Sequence, residues 1–415
     1  MATTAAAPPS QPPTPQPKAE HPLCNKNFVM WWLGSTISLF GDQFYVVALP
    51  WVVLQLTGSG IAMGTVAMCA GIPRAVLMLM GGAVTDRTSP RKLLMLTASA
   101  RTVLVAAIGV LLWYSDLHLW HLYLLAIGFG IADAFALPSA SAMMRNVVKL
   151  EQLPAANSIW QSSALLTSVA GPAPAGAIMK AFGAAWAFFL DAISFLFVIG
   201  ALWKLPDSPP ARPVAAKPSI WKSIGEGLAY VGKDIALRTL LLLTAVMNFC
   251  LSGPLQIGLA YMAKQRFSSP VSFGFWVSSV AAGTLLGMLL AGVIKSKQRG
   301  VLLMTVTTAL GAGTVGMGFL PGLWPVAALL LAMGLLNGYV TVQIQAWFQQ
   351  RVDRAVLGRV VSLVSLSAFG LMPLSMGLAG VAVEWSTRWM FVISGVALML
   401  VSTFGLAQKP VREIQ

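Results

Sequence analysis

The chain has 415 residues, of which 57% are hydrophobic and only 10% are charged, and its mean hydropathy is +0.76. Soluble globular proteins carry roughly 25% charged residues, so this composition excludes a soluble protein and predicts a surface that mostly faces lipid. The net charge of +14 would also suit a nucleic-acid-binding protein, and the position of the basic residues decides between the two interpretations.

Apolar runs long enough to cross a bilayer recur along the whole chain. Each crossing by a helix needs about 20 apolar residues, and the sequence contains about twelve such runs. They predict an all-α membrane protein built from two pseudo-symmetric bundles of six helices. The runs cover residues 27–55, 61–84, 92–114, 119–143, 155–180, 183–203, 236–262, 270–294, 299–319, 323–349, 357–382 and 387–407.

The segments outside these runs divide the chain into domains. The amino-terminal segment is rich in proline and has no hydrophobic core, so it predicts a disordered cytoplasmic tail rather than a signal peptide. Apolar residues at helical spacing in Ile220–Val231 predict an amphipathic helix on the inner membrane surface. The predicted domains are a tail at 1–26, a bundle at 27–203, a linker at 204–235, a second bundle at 236–407 and a tail at 408–415.

Basic residues are distributed unevenly between the two sides of the membrane. The predicted outward loops carry only Lys180, Lys264, Arg266 and Arg388, and Arg74 lies within the second helix. We assign the other basic residues to inward-facing segments, which is the pattern of the positive-inside rule. The charge therefore reports topology and not nucleic-acid binding. It predicts a multi-pass protein of the plasma (inner) membrane, with both termini in the cytoplasm.

Acidic residues within the helices give the sharpest functional signal. Asp42 lies midway along the first helix and Asp133 midway along the fourth. A charged Asp at a helix centre costs roughly 2.5–3.5 kcal/mol on insertion scales. We predict that both carboxyls couple to protons, and the alternative is a hydrogen bond that holds neighbouring helices together. Asp191 is placed at the start of the sixth helix, where a capping or interhelix contact is expected.

Polar side chains also form stripes on single helix faces. On the first helix Ser35, Ser38, Asp42 and Tyr45 share one face. Such stripes line a polar cavity or join helices by hydrogen bonds. Arg74 is interpreted as the only cation deep within a helix; the alternatives are a pair with Asp42, a pair with Asp133, or a side chain that extends its guanidinium to the membrane surface. The predicted substrate cavity comprises Ser38, Phe44, Tyr45, Arg74, Trp160, Asn248, Ser252, Gln256, Asn337, Thr341, Gln345 and Trp347.

A short charged turn separates the second and third helices. It contains Gly82, Asp86, Arg87, Arg91 and Lys92. This pattern resembles the signature loop of the major facilitator superfamily. The resemblance implies a gate in which Asp86 meets the start of the eleventh helix. It also implies that helices 1, 4, 7 and 10 line a central path. The alternative is a loop that only fixes topology.

The implied gate has named partners. In the resemblance, Asp86 contacts the eleventh helix near Leu357 to Arg359, and Arg145 is its counter-ion. The contact would close the two halves together on the inner side.

A second motif lies in the fifth helix, where Gly171, Pro172 and Gly176 form a Gly-Pro-x-x-Ala-Gly sequence. It resembles a motif that the superfamily associates with exporters working by proton antiport. The fourth helix lacks the intramembrane Arg of many drug–proton antiporters. Over nearly its whole length the chain is more similar to the bacterial macrolide-efflux and enterobactin-exporter branch.

The sequence contains no phosphate-binding loop, metal-ligand pattern or nucleophile elbow. It therefore predicts neither an enzyme nor a cofactor or metal site. We interpret the chain as a monomeric secondary transporter in the lipid bilayer that exports an amphipathic small molecule in exchange for protons. The alternatives are a lipid or lysolipid flippase, an importer, and a receptor that binds its ligand without moving it.

Overall fold

The computed structural model describes residues 21–206, 220–294, 298–352 and 356–413. Within them, side chains are described except at 79–83, 86, 220–224, 357–359, 361–362, 365 and 367–369. These parts of the chain contain helices and no strand, so the predicted all-α class is confirmed. The helices are α1 (Lys26–Thr57), α2 (Gly60–Arg87), α3 (Pro90–Trp113), α4 (Leu119–Val147), α5 (Leu153–Ala170), α6 (Pro172–Phe182), α7 (Ala184–Lys204), α8 (Ile220–Lys233), α9 (Ile235–Gly253), α10 (Leu259–Phe267), α11 (Pro270–Val293), α12 (Arg299–Met317), α13 (Leu323–Arg351), α14 (Leu357–Ala407) and α15 (Lys409–Arg412).

Ten segments of the described chain are long and apolar enough to cross a membrane. One of them is α9 together with α10, which a π-helical turn at Pro254–Gly258 joins. The bent pair α5–α6 adds a crossing, and the extended backbone of Ser386 (φ −168°, ψ 116°) divides α14 into two. Together these account for the twelve predicted crossings, and α8 covers the predicted amphipathic segment.

The helix pairs repeat between the two halves. In the first half α1 packs on α7, α2 on α4 and α3 on α7, and in the second half α9 packs on α14, α11 on α13 and α12 on α14. Each pairing in one half thus has its counterpart in the other. The contacts between the halves also form a matching pair, because the contact of α2 with α14 corresponds to the contact of α6 with α11. This is the construction expected of two related bundles.

Local signals position the turns that carry the predicted motifs. The Ser59 side chain accepts a hydrogen bond from the Ala62 main chain and so caps α2. The Ser89 side chain caps α3, whose first residue is Pro90, because proline suits the first helical position. The turn between α2 and α3 is therefore short and lies at the end of two membrane helices, on the face that the sequence predicts to be inner.

Candidate functional site

A cluster of charged side chains lies inside the first half of the molecule, with Arg101 and Asp191 buried and the other members half-buried. Asp133 on α4 forms an ion pair with Arg74 on α2, and the Arg74 Nε and Asp133 Oδ2 atoms are 2.9 Å apart. Arg101 on α3 donates to the other carboxylate oxygen of Asp133. The structure thus gives Arg74 the partner Asp133, one of the two that the sequence allowed.

Arg101 corrects a prediction. Its residue exposure is 8% and it lies in the middle of α3, so Arg74 is not the only cation deep within a helix. The Arg101 guanidinium lies over the rings of Phe129 and Phe195, at 5.0 and 5.7 Å from their centroids. These cation–π contacts and the Asp133 carboxylate stabilise a charge that lipid would not. The position of Arg101 in the middle of an apolar run of the sequence was the signal that could have identified it.

Two further carboxyls lie close to Arg101 but lack hydrogen-bond partners. Asp42 Oδ1 and both carboxylate oxygens of Asp191 are buried and accept no hydrogen bond from the described residues. Asp191 is fully buried, and α7 begins at Ala184, so Asp191 does not cap this helix; of the two expected roles, the contact between helices is the one that its position beside Gly41 of α1 fits. Asp191 belongs to the same charged cluster as Asp42 because each lies within electrostatic range of the other and of Arg101.

Tyr45 adds a hydroxyl to this cluster. Its ring stacks on Phe129, with centroids 4.3 Å apart, and its hydroxyl is buried without a hydrogen-bond partner in the described chain. Phe44, the neighbouring residue, packs against Phe40 in the hydrophobic core. The structure therefore places Tyr45 at the charged cluster and Phe44 in the core, rather than in the predicted substrate cavity.

The charges of the cluster do not balance. Its members are the carboxyls of Asp42, Asp133 and Asp191 and the guanidiniums of Arg74 and Arg101. With all groups ionised, one negative charge is left over. An uncompensated charge in a low-dielectric interior is costly, and binding of a single proton would remove it.

A cavity of about 130 Å³ extends from this cluster. Asp42, Arg101 and Asp133 lie at one end, and the cavity continues past Ser38 towards residues near the predicted inner ends of the helices. There Trp160 stacks on Trp31 with ring centroids 4.9 Å apart. Ser38 and Trp160 thus line a cavity within the first half and not the space between the halves.

A second, larger cavity of about 330 Å³ lies between the two halves. Its polar lining comes from the second half through Asn248, Ser252, Gln256 and Asn337, as the stripes on α9 and α13 predicted, and from Gln43 and Ser168 of the first half. The remaining lining residues are apolar, and no charged side chain is among them. The apolar residues are Val46, Pro50, Met247, Leu251, Leu255, Leu259, Phe273, Val277, Val280 and Ala281.

The other predicted cavity residues of α13 are not among the residues that line this cavity. The Thr341 hydroxyl donates to the Asn337 carbonyl at 2.8 Å, and Gln345 is exposed. Trp347 is buried against Phe348 and borders a surface pocket with Asp234 and Arg351 at the predicted inner side. The apolar packing of the second half therefore holds Trp347 away from the cavity between the halves.

The signature loop contacts the first half of the molecule. Arg91 Nε donates to the Leu202 carbonyl at 2.6 Å, and a terminal nitrogen of Arg91 donates to the Trp203 carbonyl at 2.9 Å. Arg91 thereby satisfies carbonyl groups at the end of α7. Arg87, Lys92 and Arg145 are exposed. Gly82 lies within α2, whereas the side chains of Asp86 and Arg359 lie outside the described ones, and so does the predicted gate contact.

The motif of the fifth helix forms a joint between the two halves. A methyl group at Gly176 would lie 2.5 Å from the Pro270 carbonyl oxygen, so α6 and α11 approach as closely as glycine allows. The Ala173 N–H donates to the Ser278 hydroxyl at 3.1 Å across this joint. Gly171 separates α5 from α6 and makes room for Gln43, which borders the central cavity.

A matching joint connects α2 and α14. A methyl group at Gly64 would lie 2.8 Å from the Met376 carbonyl oxygen. At the end of this joint, Glu384 accepts hydrogen bonds from the Ser59 hydroxyl and from the Ile61 N–H, the latter at 3.1 Å. Both joints lie towards the face that the sequence predicts to be outer, so the described structure is closed there.

The arrangement matches a known family. The family model of the Major Facilitator Superfamily matches residues 31–373. The chain belongs to this superfamily. It is therefore a multi-pass membrane transporter of small molecules and not an enzyme, as the sequence predicted.

Curated relatives lie in the efflux branch of the superfamily, which confirms the resemblance seen in the sequence. The chain is 27% identical over 353 residues to the "Multidrug efflux pump Tap" of Mycobacterium tuberculosis, covering 82% of this chain and 83% of that protein. It is 24% identical over 392 residues to the "Macrolide efflux protein A" of Streptococcus pyogenes, covering 89% of this chain and 93% of that protein.

Solved structures share the fold. A bacterial homolog of the human lysosomal transporter Spinster, in an inward-facing and unoccupied conformation, superposes with a TM-score of 0.69. The two sequences are 15% identical, and the match covers 94% of this chain and 97% of that one. At this identity the likeness establishes the fold alone.

Proposed function

We propose that this transporter exports an amphipathic small molecule in exchange for protons. The observation that carries the proposal is the cluster of three carboxyls and two guanidiniums inside the first half, which holds one negative charge too many when fully ionised. A carboxyl in a low-dielectric site gains and loses a proton as its surroundings change. The cluster is therefore suited to bind a proton in one conformation and to release it in another.

The direction of transport is proposed from the names of the relatives, and the structure supplies one state of the transport cycle. The relatives are named efflux proteins, and the structure is closed at the joints on the predicted outer side. In this state the cavity at Asp42 extends towards the predicted inner face, so a proton would leave inwards while substrate enters from the same side. The opposite conformation would release substrate outwards and take up a proton there.

The central cavity indicates the class of substrate. Its walls present amide and hydroxyl groups among apolar side chains, and no charged side chain among the lining residues. Such a wall binds a ligand by hydrogen bonds and apolar contacts rather than by ion pairing. We therefore propose an amphipathic compound with several hydrogen-bonding oxygens, and the name of one relative suggests a macrolide as the probe.

The proton gradient can drive this exchange. A membrane potential supplies about 2.3 kcal/mol per elementary charge per 100 mV, and each proton that enters carries one such charge.

By the positive-inside distribution, both termini lie in the cytoplasm. Because the two halves already provide both cavities, a monomer suffices for the cycle.

Proton release upon substrate binding tests the proposal. We expect that the purified protein in weakly buffered detergent solution releases protons when the macrolide erythromycin is added. Asp42→Asn should bind erythromycin and release fewer protons, because it removes a carboxyl of the cluster. The readout is a pH-indicator dye, with binding measured separately by intrinsic tryptophan fluorescence.

Asp116→Asn is the matched control because Asp116 is exposed in the turn between α3 and α4. It should release protons as the wild type does. Binding of erythromycin without proton release by the wild type would contradict antiport and favour a receptor or an uncoupled carrier.

A further inference from the structure

Asp191 is the least expected member of the charged cluster. Its residue exposure is 0%, and the one side-chain hydroxyl within reach of its carboxyl in the described chain, that of Ser194, is not aligned for a well-formed hydrogen bond to either carboxylate oxygen. The Ser194 hydroxyl, which lies beside it, donates instead to the Asp191 main-chain carbonyl at 2.7 Å. An ionised carboxylate without a well-formed hydrogen bond in such a place would be strongly destabilising.

The Asp191 carboxyl lies against α1 beside the residue that precedes Asp42, and it is within electrostatic range of the Asp42 carboxyl. A methyl group at Gly41, the residue before Asp42, would lie 2.9 Å from Asp191 Oδ1. The glycine thus lets α7 bring Asp191 against the backbone of α1. Two carboxylates within electrostatic range of each other repel, and a proton on either one removes that repulsion.

The other charged groups around the pair are already engaged. Asp133 is held by Arg74 and Arg101, so its carboxylate is paired with guanidinium charge. Arg101 is the cation that attracts the carboxyls of the pair most strongly, and it lies over the rings of Phe129 and Phe195. The Tyr45 hydroxyl is within electrostatic range of both carboxyls and is also without a hydrogen-bond partner in the described chain.

We propose that Asp42 and Asp191 form one proton-binding pair and that this pair, rather than Asp133, carries the exchanged proton. A proton from water on the outer side forms an O–H bond with one carboxylate of the pair. The resulting carboxylic acid donates a hydrogen bond to the other carboxylate. When the O–H bond breaks, the proton passes to water in the cavity that leads inwards from Asp42, and the carboxylate is restored.

This inference rests on the proposed antiport, but its central test does not require a substrate. We would record infrared difference spectra of the full-length purified protein as the pH is raised, following the carbonyl stretch of protonated carboxylic acids. Two carboxyls that share a proton titrate in two coupled steps. We therefore expect a two-step loss of the band in the wild type, and a single step in Asp42→Asn and in Asp191→Asn.

Asp133→Asn should keep both steps, because Asp133 lies outside the pair, and Asp116→Asn serves as the exposed control. Should Asp191→Asn fail to fold, Asp42→Asn tests the same pair from its other member. A two-step titration in Asp191→Asn, or a wild type that titrates in one step, would overturn the proposal.

The failure of the pair and the failure of antiport are distinguishable. Two coupled steps in a protein that shows no proton-driven flux would support the pair and contradict the proposed function. Proton-driven flux that survives in Asp191→Asn at the wild-type rate would support antiport and overturn the assignment of Asp191. In the expected case, Asp191→Asn loses substrate-dependent proton release, and Asp116→Asn retains it.

Discussion

At the scale of single residues, Arg101 determines whether the charged cluster is stable. It is buried, and its single positive charge attracts carboxyls contributed by three other helices. Its contacts combine an ion pair to Asp133 with two aromatic faces. Breaking a buried ion pair by removing one partner is generally far more destabilising than losing an exposed one, so the protein depends on this residue for structure as well as for charge balance.

Replacing Arg101 should therefore destabilise the protein. We expect that Arg101→Leu costs about 3–5 kcal/mol, because it removes the main counter-charge of the carboxyls of Asp42 and Asp191. A second substitution, Asp133→Asn, should restore part of the loss by removing one of the negative charges of the cluster. The measurement is thermal unfolding of the detergent-solubilised variants.

The exposed Arg238 provides a control. Arg238→Leu should stay within about 0.5 kcal/mol of the wild type, as exposed substitutions usually do. An unfolding temperature of Arg101→Leu equal to that of Arg238→Leu would contradict the structural role of Arg101.

At the scale of helices, the two joints between the halves have the same design. Gly176 and Gly274 bring α6 against α11, and Gly64 and Gly380 bring α2 against α14. Helix backbones approach this closely only where small residues line both surfaces. The joints can therefore open and close without repacking large side chains, which rocking of one half against the other requires.

A side chain inserted into a joint should hold the outer side open. Gly64→Ile would place its Cβ about 2.8 Å from the Met376 carbonyl oxygen, and overpacking of this kind typically costs about 1–3 kcal/mol. A cost of that size shifts a two-state equilibrium by roughly 5- to 150-fold. Spin labels at Ser115→Cys and Phe319→Cys, in the predicted outer turns of the two halves, should report a longer distance in a protein whose native cysteines are replaced.

Gly200 lies on α7 with open space where a side chain would begin. Gly200→Ile should therefore leave the spin-label distance unchanged. Equal distance distributions for Gly64→Ile and the wild type would contradict the role of the joint in closing the outer side.

At the scale of the whole molecule, the sequence was most informative where one physical constraint acts along the chain. Bilayer thickness sets the length of apolar runs, so the crossings were predictable, and the breaks at Gly171 and Ser386 altered only how the helices divide. The polar stripe of Asn248, Ser252 and Gln256 was also predictable, because helical spacing places these side chains on one face.

Positions that depend on contacts between distant helices were not predictable. Periodicity on α1 could not show that Tyr45 faces a cluster formed by α3, α4 and α7, or that Trp347 packs into the second half. The burial of Asp191 depends on the close approach of α7 to Gly41, which no spacing along either helix reveals. The exact partners of a buried charge are properties of packing and not of one helix.

The central claim is that proton entry drives substrate export, and flux in proteoliposomes tests it most directly. Purified protein would be reconstituted with radiolabelled erythromycin inside the vesicles, and a pH gradient imposed in either direction across the same membranes. We predict that efflux accelerates when the outside is acidic, slows when the gradient is reversed, and loses its dependence on the gradient when a proton ionophore is added. Erythromycin efflux at one rate under all three conditions would contradict the account.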